Sequence, residues 1–529
     1  MNKKEILMIC FIIAFIFSLQ AVVAAEADLD EASLTAQDSD VVLSSSNVSA
    51  YALPSTDNQL DAINEVSFND LQTIVDNDGA GFEDHNYTWQ NGDSQVTISS
   101  SITLDGKGKV IIDAQKNSRI FNILSGNTVT LKGITFINGN ADGNGGAILS
   151  NGILTIENCN FIDNEASGHG GAVYLDHPSS STISGSNFEN NVAGLNGGAI
   201  DWSANSVNGK VTDSTFTNNI AKRSGGAIHW SGHYGTISNS EFTNNKATGE
   251  VTSEIGGIIG GGDGGAVLWV GSHGIINDGS KFENNYAKNR GGAVFLHGNS
   301  TENCTNTTID TCTFEDNVAG VNGGALDWNE GSHDGNVLHS TFTNNVAGSN
   351  GGAIFWSGHH GEILHSTFTN NTAKGNCTDA HGNIGDGGAI IWSGINGTVD
   401  DCRFINNNAN KRGGAVFLQN CTHGYCDNTT FDNSYFKNNT AGTNGGALDW
   451  QSGASHGRVM NSIFEDNTAM RSGGAIYWSG HNGTIEHSDF TNNRALGKAL
   501  GPMPNGTLTY GGDAGAVMWT GAIGSVDYC

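Results

Sequence analysis

The chain has 529 residues, of which 75 are glycine and only 4 are proline, and just 14% are charged. This composition excludes a helical protein and a charged disordered one, and it favours short strands joined by tight turns. The net charge of −30 opposes binding to phosphate backbones, so we expect no nucleic acid partner.

The N-terminus has the pattern of a secretory signal. Lys3 and Lys4 precede an apolar run that is shorter than the roughly 20 residues of a membrane-spanning helix, and small residues follow at 23–25. We therefore predict a signal peptide over 1–25 and a secreted, extracellular or cell-surface protein, the alternative being an uncleaved anchor. Later segments lack a long apolar run, so we expect no integral membrane domain.

Two different segments precede the repeats. Residues 26–62 are acidic and poor in apolar side chains, which predicts a flexible linker. The next segment, 63–130, is predicted to hold the N-terminal cap and the first coils. Within it, apolar residues recur at helical spacing behind Ser67, which predicts a short helix that covers the open edge of the first coil.

Two short phrases recur over 131–529. Gly-Gly-Ala followed by Ile, Val or Leu alternates with Phe-x-x-Asn, in units of 25 to 28 residues without a helical period. A unit of this kind is one coil of a parallel β-helix. The predicted fold is therefore all-β, a right-handed, single-stranded parallel β-helix of about thirteen coils, ending in mid-coil.

The asparagine of Phe-x-x-Asn recurs once in every coil. Asparagines at one site in successive coils hydrogen-bond to each other, as in stacked Asn ladders. The predicted ladder consists of Asn164, Asn191, Asn219, Asn245, Asn285, Asn317, Asn345, Asn371, Asn407, Asn439, Asn467 and Asn493.

The alternation of these two phrases resembles the repeat of chlamydial polymorphic outer-membrane proteins. The whole arrangement resembles the adhesin-like surface proteins of methanogenic archaea, and the likeness covers roughly residues 130 to 529. The resemblance implies a right-handed β-helix displayed at the cell surface for attachment. The expected partner is an extracellular glycan or the surface of another cell.

The coils fall into blocks of four, which begin at Gly170, Gly291 and Gly413. In each coil the strand after Gly-Gly-Ala places its middle side chain on the outer face, and most of these strands end in Trp. The Trp column is predicted either to stack inside or to be displayed for sugars. The middle positions form a candidate binding stripe, either open or covered by loops: Tyr174, Asp201, His229, Phe295, Asp327, Phe355, Phe417, Asp449 and Tyr477.

Parallel β-helices also carry polysaccharide lyases and glycoside hydrolases, whose glycosidase chemistry needs two carboxylates about 5 to 9.5 Å apart. Asp201 lies beside His229, but the corresponding neighbours of Asp327 and Asp449 are Phe355 and Tyr477. Because this pair is not repeated, we expect no catalytic residue and no enzyme. A passive stalk or surface-layer component is the first alternative to an adhesin, and a carbohydrate-active enzyme is the second.

The histidines that follow the Trp column lie at varying distances from it, for example His233 and His456. A metal site needs fixed geometry, so we expect no metal and no cofactor.

Eight cysteines remain after a signal peptide containing Cys10 is removed. An exported chain can keep disulfides, and the spacing makes Cys304–Cys312 and Cys421–Cys426 candidate pairs, with free buried thiols as the alternative. Sequons such as Asn299 and Asn482 predict a glycoprotein.

Overall fold

The computed structural model describes residues 64–176, 180–250, 260–298, 304–375, 385–419, 427–497 and 512–529. The predicted signal peptide over 1–25, the predicted linker over 26–62 and the proposed Cys421–Cys426 pair lie outside the described residues.

The chain winds through three parallel sheets, and from Asn140 to Ala495 each coil adds to all of them. Register is kept from coil to coil: Ile200, Asp201 and Trp202 pair with Ile228, His229 and Trp230. The predicted fold class, a right-handed parallel β-helix, is confirmed.

The first sheet, called the Gly-Gly sheet here, follows the glycine pairs. Its strands are Val96–Ile98, Phe121–Ile123, Ile148–Ser150, Val173–Leu175, Ile200–Trp202, Ile228–Trp230, Val267–Trp269, Val294–Leu296, Leu326–Trp328, Ile354–Trp356, Ile390–Trp392, Val416–Leu418, Leu448–Trp450, Ile476–Trp478 and Val517–Trp519.

The second sheet, the Phe sheet, carries the phenylalanine column. Its strands are Asn64–Val66, His85–Thr88, Ile102–Asp113, Thr128–Ile137, Ile153–Glu157, Asn160–Ile162, Thr182–Ser184, Asn187–Glu189, Lys210–Thr212, Thr215–Thr217, Thr236–Ser238, Glu241–Thr243, Ile275–Asn277, Lys281–Glu283, Thr308–Asp310, Thr313–Glu315, Asn336–Leu338, Thr341–Thr343, Glu362–Leu364, Thr367–Thr369, Thr398–Asp400, Arg403–Ile405, Thr430–Asp432, Tyr435–Lys437, Arg458–Met460, Ile463–Glu465, Gly483–Glu486, Asp489–Thr491 and Gly524–Asp527.

The third sheet, the Asn sheet, consists of two-residue strands that follow the ladder asparagines. They are Asn140–Ala141, Glu165–Ala166, Val192–Ala193, Ile220–Ala221, Lys246–Ala247, Tyr286–Ala287, Val318–Ala319, Val346–Ala347, Thr372–Ala373, Asn408–Ala409, Thr440–Ala441, Thr468–Ala469 and Arg494–Ala495.

The helix predicted near the N-terminus is present as α1 (Phe68–Asp76), and a short 3-10 turn, Phe82–Asp84, follows it. Ser67 caps α1 reciprocally: the Asp70 amide donates to Ser67 Oγ, and the Ser67 amide donates to the Asp70 carboxylate, both at 3.1 Å. The apolar side of α1 is buried at Phe68 and Leu71, so the helix packs against the core at this end.

The interior is built from columns of identical side chains. The Phe column runs from Phe136 to Phe490, with successive ring centroids 4.7 to 4.9 Å apart and nearly parallel planes. Stacked rings at this spacing bury large apolar areas without gaps between coils.

The ladder asparagines hydrogen-bond from coil to coil along the whole column. The side-chain amide of Asn345 donates to Asn371 Oδ1 and to the Phe314 carbonyl, both at 3.0 Å. Asn345 Oδ1 in turn accepts from both the amide nitrogen and the side chain of Asn317. Each buried asparagine thereby satisfies backbone groups at a turn, which would otherwise be costly to bury.

A second ladder was not predicted from the sequence. The residue two positions before the Phe of each Phe-x-x-Asn phrase is Ser or Cys. Where the next coil has Ser at the same position, the hydroxyl of that Ser accepts a hydrogen bond from the backbone amide of this residue. For example, the Cys312 amide donates to Ser340 Oγ, and the Ser340 amide donates to Ser366 Oγ, both at 3.1 Å. Its members are Cys159, Ser186, Ser214, Ser240, Ser280, Cys312, Ser340, Ser366, Cys402, Ser434, Ser462 and Ser488.

The predicted Cys304–Cys312 disulfide is wrong, because both cysteines are free and buried. Cys312 takes a place in the serine ladder and points to the carbonyls of Ile276 and Asp310. Cys304 lies against Thr307, with its sulfur 3.6 Å from the hydroxyl. Burial raises the pKa of the Cys304 thiol to about 11, so this thiol stays protonated and unreactive at neutral pH.

Among the described residues, the longest helix is α1, and none is long and apolar enough to cross a bilayer.

Candidate functional site

The glycine pair brings the outer stripe close to the preceding turn. The first glycine of each pair has a positive φ, for example 64° at Gly351. The second lies against the next coil, since a Cβ on Gly352 would come within 2.0 Å of the Gly388 carbonyl oxygen. Only glycine fits at this second position. The residue just before the glycine pair is turned towards the stripe.

The residues immediately before the glycine pairs form a second column, called the pre-glycine column here. Its members are Asn144, His169, Asn196, Ser224, Asp263, Arg290, Asn322, Asn350, Asp386, Arg412, Asn444 and Ser472. The sequence interpretation missed this column because its residue type changes from coil to coil. Its fixed position directly before each Gly-Gly pair was the available signal.

The Trp column lies inside. Trp202, Trp230, Trp269, Trp328, Trp356, Trp392, Trp450 and Trp478 have no exposed surface. Rings in adjacent coils stack with centroids 4.1 to 5.0 Å apart. Of the two alternatives left open by the sequence, the interior stack is therefore correct for these residues, and display for sugars is wrong.

Most of the stripe is covered. Only Tyr174, His229 and Tyr477 are partly exposed, and the buried members are Asp201, Phe295, Asp327, Phe355, Phe417 and Asp449. Of the two alternatives left open by the sequence, an open stripe or a covered one, the covered stripe describes these buried residues. Arginines of the pre-glycine column are one physical reason: Arg290 lies 4.3 Å over the Phe295 ring, and Arg412 lies 4.1 Å over the Phe417 ring.

In the first block, three consecutive coils bring together His169, Asp201 and His229. The Nδ1 atoms of His169 and His229 lie 3.0 and 2.8 Å from Asp201 Oδ2. Burial disfavours the charged form of Asp201, but His229 and His169 outweigh this effect, and its pKa lies below the ordinary value. The sequence interpretation paired Asp201 with His229 and missed His169.

In the second block, arginine replaces the first histidine. Arg290 donates to both carboxylate oxygens of Asp263, at 2.9 and 3.1 Å. Burial raises the pKa of Asp327 to about 8, with Arg290 opposing the shift and Asp263 adding to it. Within the described part of the chain, Asp327 Oδ2 is buried without a hydrogen-bond partner. At neutral pH this carboxyl is mainly protonated.

The third block repeats the second. Arg412 donates to the Asp386 carboxylate, with Nε 2.9 Å from Oδ1. Burial raises the pKa of Asp449 well above its ordinary value, opposed by Arg412 and reinforced by Asp386. Asp449 Oδ2 also lacks a partner among the described residues. Two blocks therefore hold a buried carboxyl with a raised pKa beside an arginine ion pair.

Two adjoining cavities lie over the stripe and share Asn289 and Arg290. The first, of about 570 Å³, is lined by Ser224, His229, Asp263, Phe295 and His297 among others. The second, of about 410 Å³, is lined by Asn322, Asp327, Asn329, Glu330 and Phe355 among others. Together they form a groove, called the second-block groove here, whose walls combine carboxyls, amides and aromatic rings.

The loop histidines have a structural use. His233 Nδ1 accepts the Ser272 amide at 3.1 Å, His359 Nδ1 accepts the Ile395 amide at 3.2 Å, and His481 Nδ1 accepts the Ala522 amide at 3.0 Å. Each histidine thus satisfies a backbone donor of the following coil.

With the fold and the groove described, the chain can be compared with known proteins. Residues 213–229, 339–355, 433–449 and 461–477 match the Chlamydia polymorphic membrane protein repeat. The chain therefore carries repeats of this type, as the sequence phrases predicted. Comparison with curated protein sequences yields no match. None of these findings bears on the likeness to archaeal proteins, which stays a prediction.

Several solved structures are similar to this chain. A tailspike protein mutant of E. coli bacteriophage HK620 in complex with a pentasaccharide is 14% identical, with a TM-score of 0.34 over 80% of this chain and 74% of that chain. The Agl-KA catalytic domain is 14% identical, with a TM-score of 0.36 over 88% and 68%. An alginate lyase in complex with a trisaccharide is 11% identical, with a TM-score of 0.35 over 88% and 96%.

Proposed function

We propose that this chain is an adhesin-like cell-surface protein that binds a neutral extracellular glycan in the second-block groove. The observation that carries the proposal is the buried carboxyl of Asp327, which lines the groove beside Phe355 without a hydrogen-bond partner among the described residues. Buried polar groups in folded proteins are almost always paired, so an unpaired one aimed into a cavity favours a polar ligand.

The protonation state of Asp327 suits a sugar hydroxyl. With a pKa of about 8, the carboxyl keeps its proton at neutral pH. A neutral carboxyl donates one hydrogen bond and accepts others, as a hydroxyl group requires of its partner. Asn322 and Asn329 add amides that donate and accept, and Phe355 adds an apolar surface for a sugar ring.

The charges of the groove favour a neutral glycan over an acidic one. Arg290 is the basic side chain common to both cavities, and its guanidinium is already paired with Asp263 through two hydrogen bonds. Arg223 adds a basic group to the first cavity and Glu330 adds an acidic group to the second, so the charged side chains of the walls balance. The net charge of −30 on the whole chain also disfavours an acidic glycan, such as a uronic or sulfated one.

The location follows from the repeats and the N-terminus. Repeats of the Chlamydia polymorphic membrane protein type favour a surface protein, and the sequence of residues 1–25 predicts export. The third block carries the same arginine and carboxyl arrangement at Arg412 and Asp449. Equivalent sites four coils apart are separated by roughly 19 Å at a strand spacing of about 4.8 Å, which suits multivalent attachment.

The test is glycan-array binding by the purified full chain. We expect binding to neutral glycans that is lost in the double variant Asp327→Asn, Phe355→Ala. The matched control, Asp316→Asn with Val318→Ala, makes the same kinds of change at the Asn sheet, where Val318 is partly exposed. Binding should persist in this control.

Three outcomes would overturn the proposal. Unchanged binding by the groove variant would place the site elsewhere, and binding to acidic glycans alone would contradict the charge argument. Failure of the folded wild-type protein to bind any glycan would favour the passive stalk. Thermal unfolding of each variant checks that loss of binding is not loss of fold.

One observation also favours a second candidate, a carbohydrate-active enzyme. A carboxyl with a raised pKa is what a general acid needs, and Asp263 acts electrostatically on Asp327. Mass spectrometry of an array-selected oligosaccharide after incubation tests this candidate. Shortened products that disappear with Asp327→Asn would support it, and an intact oligosaccharide would leave the prediction of no enzyme standing.

A further inference from the structure

The cluster of His169, Asp201 and His229 has the donor atoms and the spacing of a metal site. Its three ligand atoms lie within 4.8 Å of one another, and each histidine Nδ1 is 3.0 Å or less from Asp201 Oδ2. Tetrahedral zinc with bonds of about 2.0 Å places its ligand atoms about 3.3 Å apart. Small side-chain movements therefore suffice to admit an ion.

We propose that His169, Asp201 and His229 bind one divalent transition metal ion, and that zinc fits this donor set best. Two imidazole nitrogens and one carboxylate oxygen suit zinc, cobalt or nickel, whereas calcium and magnesium prefer oxygen ligands. Three protein ligands leave a fourth position for water or for a donor atom of a bound molecule.

The surroundings support the ligand roles. Ser231 Oγ lies 3.1 Å from His229 Nε2, so this nitrogen can donate to the hydroxyl while Nδ1 faces the ion. Such an outer hydrogen bond fixes the tautomer and orientation of a metal-bound histidine.

The three side chains of the cluster differ in their exposure to solvent. The side chain of Asp201 is 3% exposed, that of His229 is 14% exposed and that of His169 is 28% exposed. The carboxylate is therefore shielded from water while His169 is open to the solvent. An ion can enter from the His169 side and meet a preformed pair of His229 and Asp201.

The other blocks supply the internal comparison. At the three equivalent positions the second block has Arg290, Asp327 and Phe355, and the third has Arg412, Asp449 and Tyr477. Arginine stays protonated in proteins and phenylalanine has no donor atom, so these positions cannot provide the same ligand set. The histidine cluster is therefore specific to the first block, unlike the Asn ladder and the Trp column, which recur in all three blocks.

This proposal goes beyond glycan binding and is tested without any glycan. Isothermal titration of the metal-free full chain with zinc chloride should reveal one tight site, and cobalt chloride should give the intense visible absorption of a tetrahedral centre. Calcium chloride should not compete. Zinc should also raise the melting temperature, because an ion bound only by the folded state stabilises it.

The decisive variant is His169→Ala, whose partly exposed side chain can be removed without opening the core. We expect at least a tenfold loss of zinc affinity and loss of the cobalt spectrum, since even the outer partners of a metal site contribute about 10- to 100-fold. Asp201→Asn, which preserves the volume, should act in the same way.

The matched control is His339→Ala. His339 Nδ1 lies 2.9 Å from Asp310 Oδ1 and its ring stacks on His365, but among the described residues these side chains do not bring three ligand atoms together as the first-block cluster does. Zinc affinity should not change in this control. Equal affinity of the wild type and His169→Ala, or no tight zinc site in the wild type, would overturn the proposal. The groove variants Asp327→Asn and Phe355→Ala leave this cluster intact, so the two proposals fail independently.

Discussion

The interior columns and the outer stripe of this β-helix follow different rules. In the Phe and Asn columns of the interior, successive coils place the same residue at the same point, as Asn345 between Asn317 and Asn371 illustrates. On the stripe, the residue before the glycine pair is His169 in the first block but Arg290 and Arg412 in the next two. An interior residue must match both of its neighbours in the stack, whereas a stripe residue is free to vary and can serve recognition.

The largest expected effect comes from a glycine that the stacking requires. In Gly352→Ala the new methyl group would meet the Gly388 carbonyl oxygen at 2.0 Å and the Thr372 nitrogen at 2.6 Å. Backbone atoms on both sides cannot retreat, so we expect a loss of about 5 kcal/mol or more, seen as insoluble protein or a much lower melting temperature. Gly279→Ala, where a Cβ meets open space, should cost only about 1 kcal/mol of backbone strain. Similar melting temperatures for the two variants would contradict the close-packing argument.

The next effect is that of breaking the Asn ladder. Asn345→Ala removes two donated hydrogen bonds and leaves the buried amide of Asn317 without its acceptor. We expect the free energy of unfolding to fall by about 3 to 5 kcal/mol. Thr341→Ala, at an exposed position of the same coil, is the control and should change stability by less than about 0.5 kcal/mol. Equal effects in thermal unfolding would show that the ladder adds little.

A smaller effect with a distinct pH dependence is expected on the stripe. Because the folded pKa of Asp327 is about 8 and the ordinary value is about 3.9, the unfolded chain loses this proton first as pH rises. The carboxyl therefore lowers the free energy of unfolding progressively between pH ~4 and pH ~8. Asp327→Asn removes this penalty and should stabilise the protein by about 1 to 3 kcal/mol at pH ~8, with no gain near pH ~4.

Melting temperatures of the wild type and Asp327→Asn across this pH range check that prediction. Asp316→Asn, at the turn between the Phe sheet and the Asn sheet, serves as the control. A gain that is the same at every pH would mean that Asp327 is already ionised in the folded protein at neutral pH.

The smallest effect is expected at the cysteines of the serine ladder. Cys312→Ser places a hydroxyl where most other coils already have one. The Ser280 amide already donates to the Asn277 carbonyl at 3.2 Å, so the new hydroxyl adds only a second acceptor of the kind that Ser240 finds at Ser280. We expect a change in stability of less than about 1 kcal/mol. A large loss on substitution would mean that Cys312 has a partner.

Much of the fold was readable from the sequence because interior positions repeat in type as well as in spacing. The Phe and Asn columns and the glycine pairs each recur at a fixed offset, so the parallel β-helix and the interior ladder could be predicted. The serine ladder was missed because Cys312, taken alone, has the pattern of half a disulfide. Its place in the column becomes clear only when Cys312 is aligned with Ser340 and Ser366.

The site was harder to predict for a physical reason. Whether Phe295 is exposed depends on whether the long side chain of Arg290, from the turn before it, folds back over the ring. The contact between His169 and Asp201 joins residues 32 positions apart in adjacent coils, and no repeated residue type marks it. The spacing of residues along the sequence predicts which side chains form a column. It does not predict which side chains of two neighbouring columns are long enough to contact each other.

The most direct test of the recognition account is hydrogen–deuterium exchange with an array-selected neutral oligosaccharide. The account predicts slower exchange in the turns over 321–323 and 329–331, which border the second-block groove, and unchanged exchange at the exposed edge of the Asn sheet near Val318. Protection on the Asn sheet or the Phe sheet, with none over 321–331, would contradict it.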